Sequence, residues 1–125
     1  MPKLIAIAPQ IVVEDVVATA RFYQDKLGFA LIGYFLDPPV YAMVERNGIQ
    51  IHFGQADGPD VQKSNVPLRK VGFDYYLWTD DLDALHQEMV SRGVQIIQPP
   101  IDRVYGNREF TAVDCNGLVL TFGQI

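Results

Sequence analysis

A chain of 125 residues, 49% apolar and 20% charged, has the composition of an ordinary globular protein and enough length to bury a core. Its net charge of −5 argues against nonspecific binding to DNA or RNA. No stretch approaches the roughly 18 apolar residues that a membrane-spanning helix needs, so no membrane partner is expected.

Leu4 to Val13 is rich in apolar and β-branched residues and reads as a strand. Pro9 within it marks an edge or a bulge, because proline offers no N–H to a ladder. Asp15 has the position of a helix N-cap, and Val16, Ala20, Tyr23 and Leu27 form one apolar stripe that stops at Gly28. Phe29–Phe35, Val40–Glu45 and Ile49–Phe53 read as three strands, broken by Pro38-Pro39 and by a tight Asn47-Gly48 hairpin. Residues 54–69, polar and holding Gly54, Gly58, Pro59 and Pro67, read as a linker. The cycle then restarts. Val71–Thr79 is a predicted strand, and Asp80 or Asp81 caps a helix with Leu82, Leu85 and Met89 on its apolar face, ended by Gly93. Val94–Ile97 is a short strand, Pro99-Pro100 a break, and Glu109–Val113 and Leu118–Phe122 are the last two strands.

The two halves echo each other. Glu14-Asp15-Val16 recurs as Asp80-Asp81-Leu82 after 66 residues, and Asn47-Gly48 through Phe53 recurs as Asn116-Gly117 through Phe122 after 69. A repeat of that length is a duplicated module, too long for a solenoid unit. The expectation is an α+β fold in one domain over residues 1–125, built of two βαβββ modules at about 1–55 and 68–125. The single cysteine, Cys115, can form no internal disulfide and is assigned no role. Together with the lack of a signal-peptide core after Met1-Pro2-Lys3-Leu4-Ile5, it points to a cytosolic address.

Side chains alternate across a strand. Ile49, Ile51 and Phe53 therefore face the helix while Gln50 and His52 face away, and Leu118, Leu120 and Phe122 stand opposite Val119 and Thr121. In the fifth strand Phe73, Tyr75 and Leu77 alternate with Asp74, Tyr76 and Trp78. Gln50, His52, Asp74, Tyr76, Trp78 and Thr121 are thus placed on the concave, ligand-facing side. The facing of Tyr34 and Tyr41 is open at this stage, and His86 reads as a solvated helix residue away from this cleft.

Val13-Glu14-Asp15-Val16 with Phe22-Tyr23 and Leu27-Gly28-Phe29, and the tail Tyr105-Gly106-Asn107-Arg108-Glu109-Phe110 with Asp114-Cys115-Asn116-Gly117, resemble the vicinal oxygen chelate superfamily of glyoxalases, bleomycin resistance proteins and dioxygenases. The tail departs slightly, since the family commonly has Asp-Pro-Asp-Gly there. Metal-dependent members carry four ligands on four strands, and the resemblance puts those positions at Ala8, His52, Asp74 and Thr121. A methyl group cannot ligate and a hydroxyl is a poor ligand, so no resident metal is expected; Gln10 is a substitute ligand if Pro9 marks a bulge. The resemblance also implies a homodimer.

The leading expectation is a metal-independent protein that sequesters a small organic ligand, cationic or aromatic, as bleomycin resistance proteins do. Asp74, Tyr76 and Trp78 would supply a carboxylate and two aromatic faces, unless the rings fill a core or an interface. His52 and Asp74 either grip a polar ligand or act as acid and base, or they form a polar pair with no ligand. Arg108 with Glu109, after the Tyr105-Gly106 turn, either closes over a ligand or makes a surface ion pair. The alternatives are a lyase or dioxygenase with a divalent metal held by His52 and Asp74, and a metal-free isomerase that uses the same two residues.

Overall fold

Each half begins its helix on an aspartate. Asp15 Oδ1 accepts from the N–H groups of Val17 and Ala18, both at 3.0 Å, and Asp81 Oδ1 accepts from Ala84 N–H at 3.1 Å. These bonds are seen in a computed structural model that describes residues 1–70 and 72–125. Val71, the expected first residue of the fifth strand, lies outside the described residues.

Chain contacts divide the protein into two units, Met1–Gln62 and Lys63–Ile125. The first holds β1 (Gln10–Val13), α1 (Val16–Leu27), β2 (Ala30–Phe35), β3 (Tyr41–Arg46) and β4 (Ile49–Gln55). Its sheet runs in the order β1-β4-β3-β2, with β1 parallel to β4. The stripe Val16, Ala20, Tyr23 and Leu27 is buried against Ala42, Val44, Ile51 and Phe53, and the Tyr23 ring lies 4.9 Å from that of Phe53. Asn47 and Gly48 both have positive φ, 52° and 82°, the paired left-handed conformations of a two-residue hairpin turn.

The second unit holds one turn of helix, α2 (Val66–Arg69), then β5 (Tyr75–Trp78), α3 (Leu82–Ser91), β6 (Gln95–Asp102), β7 (Arg108–Val113) and β8 (Val119–Gln124). Its sheet order, β5-β8-β7-β6, repeats that of the first unit. The α+β class and the two βαβββ modules are therefore as the sequence implies. A further shared device is a glutamine at the end of each fourth strand. Gln55 Oε1 accepts from Val16 N–H at 3.1 Å while its amide donates to the Glu14 carbonyl. Gln124 Oε1 accepts from Leu82 N–H at 2.7 Å and its amide donates to the Asp80 carbonyl at 2.7 Å. Each glutamine ties a helix N-terminus to the sheet and satisfies a donor that the helix itself cannot.

Four expectations need correction. The first strand spans Gln10–Val13 and not Leu4–Val13, and Leu4, Ile5 and Ile7 stand exposed ahead of it. Pro9 contributes only its carbonyl, which accepts from His52 N–H, so the regular ladder starts after it. The polar stretch 54–69 is not all linker, since it contains the end of β4 and the whole of α2. Pro99-Pro100 does not end a strand; β6 runs through both prolines. It is the edge of its sheet, where a missing N–H costs least, and its register slips between Gln98 and Ile101 where the prolines sit. His86 is half-buried, with its ring 5.2 Å from that of Phe110 in the layer between α3 and the sheet.

Candidate functional site

The second unit's sheet builds a pocket on the face turned away from α3. β8 carries Thr121 and Gly123 on that face. β5 runs parallel to it with Tyr76 opposite Thr121 and Trp78 opposite Gly123, and β7 lies on its other side with Glu109 opposite Gly123. Alternation along β7 turns Arg108, Phe110 and Ala112 toward α3 and puts Glu109 and Thr111 on the pocket face. Gly123 has no side chain to fill the space above it. The Tyr76 ring occupies that space, so close that a Cβ on Gly123 would fall 2.0 Å from the phenol oxygen. From there the Tyr76 hydroxyl donates to Glu109 Oε2 at 2.6 Å.

The resulting cavity has a volume of about 470 Å³. Phe73, Tyr76 and Trp78 form its aromatic wall, with ring centroids 5.2 Å apart for the first pair and 4.7 Å for the second. The turn between β6 and β7 adds Arg103, Tyr105 and Asn107, and is closed by Arg103 N–H on the Asn107 carbonyl at 2.7 Å. Glu109 is 4% exposed, and besides Tyr76 it accepts from the Tyr105 hydroxyl at 2.8 Å and from Arg103 Nε at 3.1 Å. Asn107 Nδ2 donates to the Tyr76 oxygen at 3.2 Å. Thr121 lines the pocket with its hydroxyl 3.2 Å from that of Thr111.

The charges of this cluster are settled locally. Burial pushes the Glu109 carboxyl up, but the hydroxyls of Tyr76 and Tyr105 and the guanidinium of Arg103 outweigh it and hold the group below the usual carboxylate range. Burial and the bond to Glu109 push the Tyr76 phenol up to about 12. At neutral pH the carboxylate is ionised and the phenol keeps its proton. Neither is poised to exchange a proton with a substrate, which calls for a pKa near the working pH.

The expected site residues separate into two groups. Tyr76, Trp78 and Thr121 line the pocket. Phe73, expected on the helix side, lines it too, because β5 begins only at Tyr75 and alternation does not extend back to residue 73. Asp74 does not line the pocket: its carboxylate accepts from Asn65 N–H at 2.6 Å, Ser64 Oγ at 2.6 Å and Val119 N–H at 2.8 Å, pinning the α2 segment to the start of β8. Arg108 faces α3 and pairs with Asp83 at 3.0 Å and Asp102 at 3.2 Å, the surface ion-pair alternative. In the first unit the His52 ring meets the Tyr41 hydroxyl at Nδ1 and Gln50 Oε1 at Nε2, both at 2.9 Å. With that oxygen of Gln50 assigned to the contact, Nε2 carries the proton and Nδ1 accepts from Tyr41. His52 and Asp74 thus each make these hydrogen bonds within their own unit.

In the strand registers the residue opposite His52 is Gln10, while Ala8 lies ahead of β1, and the residue opposite Thr121 is Tyr76, while Asp74 lies just ahead of β5. Those positions hold an amide and an imidazole in the first unit and a phenol and a hydroxyl in the second. Among the described residues no group of three or more His, Cys, Asp or Glu side chains is arranged to hold a metal ion.

Sequence reasoning missed Arg103 and Asn107, and saw Glu109 only beside Arg108. The repeat held a usable signal, because Gly54-Gln55 recurs as Gly123-Gln124. Extending the match by those two residues would have marked an open position on β8 and the charged residue across from it.

Comparison with known proteins agrees with this architecture. None of the curated proteins matches the chain by sequence. TioX from Micromonospora sp. ML1 superposes with a TM-score of 0.76 at 17% identity, covering 95% of this chain and 97% of that one. A bleomycin resistance determinant encoded on transposon Tn5 gives 0.73 at 23% identity over 97% and 98% of the two chains. A superfamily member from Sphaerobacter thermophilus gives 0.76 at 21% identity over 98% of each. Such identities speak to the fold alone. The family model described as Glyoxalase/Bleomycin resistance protein/Dioxygenase superfamily matches residues 4–122, and the chain belongs to that superfamily.

Proposed function

We propose that this protein binds a small planar organic molecule in the pocket of its second unit, with no metal ion as part of the site. The observation that carries this reading is a wall of three aromatic rings beside a buried carboxylate whose charge is already matched. Aromatic faces offer area and stacking at little entropic cost. The cationic preference expected from Asp74 loses its basis, since that carboxylate is spent on three donors inside the chain. The hydrogen bonds that His52 and Asp74 make to their own neighbours favour this reading over a metal-dependent lyase or dioxygenase and over an isomerase that uses those two residues. The fold shared with a bleomycin resistance determinant supports a sequestering role.

We read the protein as a cytosolic homodimer. The near-complete exposure of Leu4, Ile5 and Ile7 favours burial against a second surface, and light scattering on the purified protein tests the assembly. The binding reading is tested by exciting Trp78, the only tryptophan, in chelator-treated protein while titrating fused bicyclic aromatics. Saturable quenching with a matching rise in Tm is expected. Binding that requires an added divalent ion, taken up in a His52-dependent and stoichiometric way, would overturn it.

A further inference from the structure

The hydrogen-bonding groups of the pocket are unevenly matched. Glu109 uses Oε2 on Tyr76 and Oε1 on both Tyr105 and Arg103, leaving about one of its four lone-pair positions. Arg103 gives only its Nε hydrogen to Glu109, and among the described residues its two Nη groups carry no partner. Asn107 gives one amide hydrogen to Tyr76 and keeps the other. Against the last Glu109 lone pair and the Asn107 amide oxygen, the cavity presents two Nη groups and an amide hydrogen next to its aromatic wall, with the guanidinium edge as the strongest donor.

Resting on the reading of this pocket as an aromatic-binding site, we infer that its ligand carries a carboxylate, and that Arg103 is the residue that selects it. A guanidinium edge with two unengaged Nη groups matches the two oxygens of a carboxylate, and such charge-assisted pairs are the strong ones. Glu109 does not forbid the approach of an anion. It holds the separate Nε position and takes two tyrosine hydroxyls besides, so the Nη edge remains the positive end of a near-neutral ion pair. A ligand ammonium, by contrast, would face the guanidinium edge, with only the Asn107 amide oxygen and the last Glu109 lone pair to accept from it.

Three naphthalene probes test this by calorimetry on the chelator-treated full chain: naphthalene-2-carboxylate, its isostere naphthalene-2-carboxamide, and naphthalen-2-ylmethylammonium. The carboxylate should bind about tenfold or more tighter than the ammonium, the scale of one hydrogen-bonded charged contact. Arg103→Gln should remove that advantage while leaving the carboxamide within about twofold of its original affinity, and Arg103→Lys should keep part of it. Equal affinity for the three probes, tighter binding of the ammonium, or a preference that survives in Arg103→Gln would overturn the inference. The comparison in the unmodified chain stands even if a variant folds poorly. Failure of all three probes to bind, or binding unchanged in Trp78→Ala, would instead overturn the pocket itself and this inference with it.

Discussion

The two units place different chemistry on one backbone plan. In the first, Gln10 lies over Gly54, beside His52 and Tyr41; in the second, Tyr76 lies over Gly123, beside Thr121 and Glu109. Around the two glycines the strand registers match position by position. Yet the first unit's cluster joins an imidazole to a phenol and an amide, and the second's is organised around a buried carboxylate with an arginine behind it. Val12 stands where the second unit has Trp78. Duplication preserved the devices that hold each helix to its sheet, Gln55 and Gln124, while the pocket faces diverged. The shared plan is structural, and the chemistry that distinguishes the two units lies in a handful of residues on one face.

The sharpest way to break this comparison is to fill the two glycines. In Gly123→Ala the new methyl meets a rigid phenol ring 2.0 Å away, so Tyr76 must leave Glu109 or β8 must shift. A loss of about 3 kcal/mol is expected, combining overpacking with a broken charged hydrogen bond. In Gly54→Ala the methyl meets the end of the flexible Gln10 side chain at 2.6 Å, which can swing aside, and a loss of about 1 kcal/mol or less is expected. Urea unfolding of the two variants measures both. Equal losses would mean that the phenol–carboxylate arrangement adds nothing to the second unit.

The next pair removes the centre of each cluster. Glu109→Ala strands two hydroxyls and a guanidinium and should cost about 2 kcal/mol. Tyr41→Phe deletes one half-buried neutral hydrogen bond to His52 and should cost about 0.5–1 kcal/mol.

How much of this was legible in the sequence depended on whether the signal was periodic. The helices, the repeat and the facing of Gln50, His52 and Thr121 follow from spacings of four and of two, and these were read correctly. Strand onset is not periodic. The ladder at β1 starts only after Pro9 and that at β5 only after Asp74, so Leu4–Val13 and Val71–Thr79 overstate both strands. Whether a proline ends a strand depends on whether that strand is an edge, which is a property of the sheet and hid the full length of β6. Arg103 and Asn107 sit in a turn, where only the tertiary partner Glu109 fixes the direction of the side chain.

The pH dependence of stability sharpens the contrast more gently. Glu109 titrates lower in the folded than in the unfolded protein, so its contribution is complete above the usual carboxylate range and fades as pH falls through its lowered value. Tyr76 titrates higher when folded, so its contribution is complete below pH about 10 and fades as pH rises toward about 12. Glu109→Gln should flatten the acid limb and Tyr76→Phe the alkaline limb of a stability profile taken by chemical denaturation. A profile unchanged in both variants would remove the carboxylate from its central role in the second unit.

The smallest effect on stability should come from the residue with the largest effect on binding. Trp78 is 55% exposed, and its main contact in the chain is the ring of Tyr76. Trp78→Ala therefore creates no closed cavity, and a change of about 0.5 kcal/mol in unfolding free energy is expected. The same variant removes one of the three rings that a planar ligand would stack on, so the thermal shift produced by a naphthalene probe should fall below detection. At the matching position of the first unit, Val12→Ala should leave that shift intact. If Trp78→Ala instead costs several kcal/mol, the ring is a buried structural element whose cover a single chain does not include. The asymmetry between the units would then belong to assembly and not to a ligand.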